Sequence, residues 1–100
     1  MSVIVAGTFR VPPKQLDALR PHAVEVMRKT RAEDGCAAYA YAEDIDEPGL
    51  IHVFEMWRDQ AALDAHFATA HMATWREVRA GYQFADRDLK VYEIAAERPI

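Results

Sequence analysis

Hydrophobic positions along the chain change period four times. Residues 3–11 are rich in β-branched side chains and stop at Pro12-Pro13, which cannot continue a ladder, so they predict a first strand. Over 14–33 the positions Leu16, Leu19, Ala23, Val26, Met27 and Thr30 recur at steps of three and four, the stripe of one amphipathic helix. Pro21 lies inside that stripe and removes a backbone bond to Asp17, which predicts a kink or a short first turn followed by a restart. Asp34-Gly35 closes the helix, and residues 36–43 then alternate alanine and tyrosine with the period of a strand.

The acidic, turn-forming stretch 42–50 reads as a hairpin loop. Residues 50–58 form the next strand, with Ile51, Val53, Glu55 and Trp57 on one face and His52, Phe54, Met56 and Arg58 on the other. Asp59 is a natural N-cap for a helix over 60–80 that buries Leu63, Phe67, Ala70, Thr74 and Val78 and stops at Gly81. Residues 89–95 supply a last strand and 97–100 a tail. The order β-α-β-β-α-β is the ferredoxin-like α+β plan, an antiparallel sheet with both helices on one face, in a single domain over 1–100. The other face carries His52, Phe54 and Met56 and is too apolar to stand in water, so a homodimer packed sheet to sheet is expected, with the helices outside.

Composition narrows the function classes. A net charge of −4, with no basic run longer than Arg28-Lys29-Thr30-Arg31, argues against a nucleic-acid or anionic-membrane partner. No stretch approaches the ~18 apolar residues that span a bilayer, and the N-terminus has no secretory pattern, so the cytoplasm is the default compartment. Cys36 is the only cysteine and reads as a small packing residue, with no intrachain disulfide to make. Scattered glycines leave no dinucleotide or phosphate cradle, and a lone serine, Ser2, removes a serine hydrolase.

The segment from Glu55 to His71 spends a tryptophan and two histidines where a structural connection rarely needs all three. Glu55-x-Trp57, then Ala62-Leu63, His66 and His71, preceded by Glu33-Asp34-Gly35-Cys36 and Tyr39, resembles the antibiotic biosynthesis monooxygenase family of dimeric α+β barrel proteins over nearly the whole chain. The resemblance implies oxidation of quinols or polycyclic phenols by molecular oxygen without a cofactor. It also covers relatives that degrade haem or isomerise small metabolites, so fold kinship leaves the chemistry open.

Such chemistry needs a base to form the substrate anion, a dry cavity and donors that stabilise the anion. His66 is the candidate base, because imidazole titrates near neutrality and the position borders the apolar stripe beside Phe67; a histidine filling the core edge is the other role open to it. Trp57 points toward the helices and either packs or stacks on a flat substrate. Glu55 shares its face and reads as a buried carboxylate held by an arginine such as Arg10 or Arg76 in preference to an acid catalyst, and it joins the candidate substrate-binding residues. Tyr39 and Tyr41 share one face of the second strand, where either hydroxyl reaches a phenolic ligand. Phe67 and His71 complete the candidate substrate-binding set. Five residues separate His66 from His71, placing them ~140° apart on a continuous helix, so no metal site is expected.

The chain contains no asparagine, a departure from the resemblance. Haem-degrading relatives require one, and Gly7, Thr8 and Phe9 stand on the first strand where an amide belongs. Three readings remain: a cofactor-free oxygenase for a quinol or phenol, a non-enzymatic barrel dimer that binds a hydrophobic small molecule, and an isomerase using His66 as base.

Overall fold

A computed structural model describes all 100 residues. The elements run β1 (Val3–Arg10), a 3-10 turn (Pro13–Gln15), α1 (Leu16–Arg31), β2 (Cys36–Glu43), β3 (Leu50–Trp57), α2 (Gln60–Phe67), α3 (Ala70–Arg79) and β4 (Ala85–Glu93). The strands form one antiparallel sheet in the order β2-β3-β1-β4, the ferredoxin-like arrangement expected from the sequence. No helix is long and apolar enough to cross a membrane.

Alternation assigns the two faces as the pattern requires. Ile51, Val53, Glu55 and Trp57 of β3 are buried, whereas His52 and Phe54 are exposed. Antiparallel register then lines up side chains into rows across the sheet. Tyr39, Glu55, Val5 and Val91 form one row on the helix side, and Tyr41, Val53, Gly7 and Leu89 form the next. On the opposite face Ala38, Met56, Ile4 and Tyr92 align beside Ala40, Phe54, Ala6 and Lys90, with nothing above them. Phe54 and Tyr92 keep 44% and 48% of their surface in water.

Three expectations change. The helix expected over 60–80 is two helices, because Thr69 leaves the helical region (φ −72°, ψ 154°) and caps α3. Its hydroxyl accepts from the Met72 amide at 3.3 Å and donates to the His66 carbonyl at 2.8 Å. The break re-phases the buried stripe, so Met72 and Trp75 are buried in α3 while Ala70 and Thr74 are exposed, as is Phe67 in α2. The last strand begins at Ala85, four residues before the expected start, since Asp86, Arg87 and Asp88 are exposed on both faces and carry no hydrophobic alternation. Pro21 neither stops nor restarts α1; it lies with Asp17 on the exposed side, where a carbonyl without its helical partner is not shut away from solvent.

Two apolar clusters fill the space between sheet and helices. Val3, Val5, Tyr39, Trp57, Ala62 and Leu63 pack under α2, and Phe9, Leu19, Val26, Ile51, Met72 and Trp75 pack between α1 and α3. Gly7 sits where these rows meet β4 and adopts φ 151°. A Cβ there would lie 1.8 Å from the Asp88 carbonyl oxygen, a main-chain atom that cannot swing away. We therefore expect Gly7→Ala to lose at least ~2 kcal/mol in urea unfolding, with β4 prised from β1. A stability within experimental error of the parent would show that the strand spacing is softer than this geometry allows.

Candidate active site

The two helix-side rows form the floor of a cavity of about 150 Å³ roofed by α2 and α3. Tyr39, Tyr41, Glu55, His66 and Trp75 line its interior, and Phe67, Arg87 and Val91 stand at its exposed rim. Each floor residue arrives by strand alternation, whereas His66 arrives from the last turn of α2, one residue before the helix ends.

His66 is fully buried. Its Nδ1–H donates to Glu33 Oε2 at 2.7 Å, and Nε2 has no partner in the protein. The carboxylate thus selects the tautomer that leaves the Nε2 lone pair free. Burial pushes the imidazole below its ordinary range, outweighing the opposing pull of Glu33, so the neutral base predominates at neutral pH. Around it, Trp57 lies 4.8 Å away between ring centres and Tyr39 5.3 Å away.

His71 differs from expectation. It does not line the cavity; its Nε2–H donates to the same Glu33 oxygen at 2.7 Å. The angular separation counted on an unbroken helix fails because Thr69 interrupts it, and the two imidazole rings stand 6.1 Å apart between centres. Glu33, His66 and His71 are consequently the one group able to offer three ligand atoms to a cation, within 4.8 Å of one another. Both contacts to the shared oxygen are hydrogen-bond lengths, which makes the group a chain of two imidazoles joined through a carboxylate.

Trp57 is also placed differently. Its indole is fully buried and absent from the cavity wall, and Nε1–H donates to Glu55 Oε1 at 3.1 Å. Glu55 is therefore held by Trp57 rather than by Arg10, which pairs with Glu47 and Asp86, or Arg76, which donates to the Phe67 carbonyl. One hydrogen bond does not offset its burial, and the carboxyl is pushed up to about 7. The Tyr39 and Tyr41 hydroxyls share a hydrogen bond of 2.8 Å, and burial raises both above the ordinary phenol range, keeping them protonated donors. Half-buried Cys36 is likewise pushed up, foremost by burial, as befits a packing thiol.

Sequence reasoning did not assign roles to Glu33, Arg79 or Arg87. Glu33 lies in the turn after α1, and only the observed packing brings it to His66. Arg79 follows Trp75 by one helical turn, an i, i+4 pairing that could have flagged it.

The chain is similar to several known proteins over most of its length. Residues 2–78 match the sequence model of the family described as "Antibiotic biosynthesis monooxygenase". The chain is 36% identical over 74 residues to "Putative monooxygenase Rv0793" of Mycobacterium tuberculosis, covering 74% of this chain and 72% of that protein. The solved structure of Rv0793 has a TM-score of 0.78 at 30% identity and covers 99% of this chain and 98% of its own. "Uncharacterized protein sll1783" of Synechocystis is 31% identical over 93 residues; these are 93% of this chain and 63% of that protein's length. A Deinococcus radiodurans structure described as a "putative antibiotic biosynthesis monooxygenase" has a TM-score of 0.87 at 25% identity, covering 100% of this chain and 98% of its own.

The raised carboxyl sets a pH dependence of stability. Below its ordinary 4.5 Glu55 is protonated both folded and unfolded; between 4.5 and about 7 the unfolded chain ionises while the folded carboxyl stays protonated. Stability falls across that window by up to about 3 kcal/mol. His66 acts in the opposite direction: its depressed value contributes stability above 6.5 that is lost as pH falls through the folded-state value. The Glu55→Gln variant retains an acceptor for Trp57 but cannot ionise, and His66 is common to both proteins. Its stability advantage over the parent should grow between pH 5 and pH 8 in denaturant titrations. A constant difference would mean that Glu55 ionises without penalty.

Proposed function

The chain belongs to the antibiotic biosynthesis monooxygenase family, and from that membership we propose that it oxidises a small quinol or phenol with molecular oxygen and no cofactor. The observation that carries this reading is His66, a neutral buried imidazole with a free Nε2 on a cavity where burial keeps the Tyr39 and Tyr41 hydroxyls protonated. A cavity of about 150 Å³ matches the space that holds a benzene ring. That size favours a single ring over the polycyclic phenols that the family resemblance also admits.

In the proposed reaction a substrate hydroxyl gives its proton to His66 Nε2, and the Tyr39–Tyr41 hydroxyl pair donates the one proton its mutual hydrogen bond leaves free to the developing oxyanion. The anion passes one electron to dioxygen, and the resulting radical pair combines into a ring hydroperoxide. Loss of water leaves one oxygen atom on the product, so two substrate hydrogens leave with the other and no external reductant is needed. Glu33 holds His66 in the required tautomer. Trp57 and Glu55 support the floor beneath the ring.

The pairing of a neutral histidine with a carboxyl near 7 also favours a second reading. A carboxyl that titrates near neutrality and an imidazole kept neutral by burial can together move a proton between substrate carbons without oxygen. Product formed under argon would identify this isomerase chemistry.

The open sheet face supports a homodimer, with Met56, Ile4 and Tyr92 beside Phe54 and Ala6 as its centre. Apolar rows on this scale need cover, and a second copy offers an identical set. Phe54→Asp should shift the mass in sedimentation velocity from two chains to one at micromolar protein. An unchanged dimer would place the contact elsewhere.

Oxygen uptake by the metal-stripped protein, with monocyclic hydroquinones and against the spontaneous rate, tests the activity. His66→Ala should lower uptake by about 10²–10⁴-fold with the fold intact by circular dichroism, and Glu33→Gln should cause a smaller loss. Equal rates in parent and His66→Ala would remove the base from the mechanism.

A further inference from the structure

The cavity carries two guanidinium groups that no carboxylate of the protein neutralises. Arg10, Arg20, Arg28 and Arg58 form ion pairs, and Arg31 and Arg76 donate to the main-chain carbonyls of Tyr39 and Phe67. Arg79 and Arg87 do neither, yet both line the cavity. Arg79 is partly buried, with its guanidinium carbon 5.9 Å from the centre of the Trp75 ring. Nearby acids are already engaged, Glu55 by the Trp57 indole and Glu33 by two imidazoles, and Asp88 pairs with Lys90. Glu55 feels Arg87 only as the weakest of its influences. Burial pushes Arg79 below its ordinary range, and Arg87 and Arg76 act in the same direction.

A partly desolvated guanidinium without an anion is unfavourable, and its planar fork matches a carboxylate. The chain as a whole is acidic, at −4, so a cationic mouth is a local feature of this cavity. We propose that the cavity takes an aromatic anion, a monocyclic phenol or hydroquinone bearing a carboxylate, with that carboxylate on Arg79 and Arg87 and the ring hydroxyl among His66, Tyr39 and Tyr41. This deepens the functional reading above and rests on it only for the role of the hydroxyl end. The rim position of Arg87 leaves the carboxylate part-solvated while the ring fills the closed floor.

Calorimetric titration of the whole protein under argon with 2,5-dihydroxybenzoate and with unsubstituted hydroquinone separates charge from ring. The carboxylate compound should bind at least about tenfold more tightly, the range of a charge-assisted contact. Removing both guanidinium groups by Arg79→Ala with Arg87→Ala should erase that preference, and Arg79→Lys alone should keep part of it. Raising KCl to about 0.5 M should weaken the carboxylate compound and spare hydroquinone, a comparison that needs no variant to fold. Equal affinities in the parent, or a preference indifferent to both salt and arginine removal, would overturn the inference. Oxygen uptake on the same two compounds tells the failures apart. Selective binding without uptake sinks the oxygenase reading alone, and uptake on hydroquinone with no carboxylate preference sinks the inference alone.

Discussion

One carboxylate oxygen joins the pieces of this fold that the sheet does not. Glu33 Oε2, in the turn after α1, accepts from His66 at the end of α2 and from His71 in the first turn of α3. Interrupting a helix leaves carbonyls and amides without partners, and Thr69 satisfies only some of them. The two imidazoles supply a longer-range tie, so that both helix segments dock against the same turn. Removing the carboxylate would leave two imidazole donors facing each other across a gap, and the tautomer of His66 would no longer be fixed.

That tie explains why the polar floor survives inside so small a domain. A chain of 100 residues buries a limited share of its surface, and a carboxyl pushed up to about 7 works against stability above that pH. Trp57 gives Glu55 one hydrogen bond, and the Tyr39 and Tyr41 hydroxyls satisfy each other. Three buried side-chain atoms lack a partner, Thr30 Oγ1, His66 Nε2 and Trp75 Nε1, and the last two belong to residues that line the same cavity. Two such atoms beside one cavity call for an explanation that packing alone does not give, and the proposed site supplies one.

The sheet was legible in the sequence because alternation is a strong local signal wherever one face is buried. Tyr39, Tyr41, Glu55 and Trp57 fell on the helix side, and residues 36–43 were delimited to the residue. The helix break was not legible: Ala68-Thr69 contains neither glycine nor proline, and threonine is tolerated inside helices. Missing it placed Phe67 inward and set His66 and His71 ~140° apart, whereas both meet Glu33. Strand β4 was under-read for a related reason, since a strand exposed on both faces carries no hydrophobic period. Glu33 appeared only as part of a resemblance, because contacts between a turn and two helices leave no spacing rule in the chain.

The departure of this chain from asparagine-bearing relatives changes in meaning once the floor is seen. An amide on β1 would project near Gly7, where a Cβ meets the Asp88 carbonyl at 1.8 Å. The backbone of β4 occupies the space that such a side chain would cross, so the donor role cannot be filled from that position without moving the strand. The hydroxyls of Tyr39 and Tyr41 approach from β2, two strands away, and reach the same floor. A phenol donor is more acidic than an amide and can share its proton with an incoming oxyanion, whereas the amide can only hydrogen-bond to it. Burial opposes full transfer by keeping both tyrosines protonated, so that in the proposed reaction proton movement falls to His66, whose unpartnered Nε2 belongs to the helix side of the cavity.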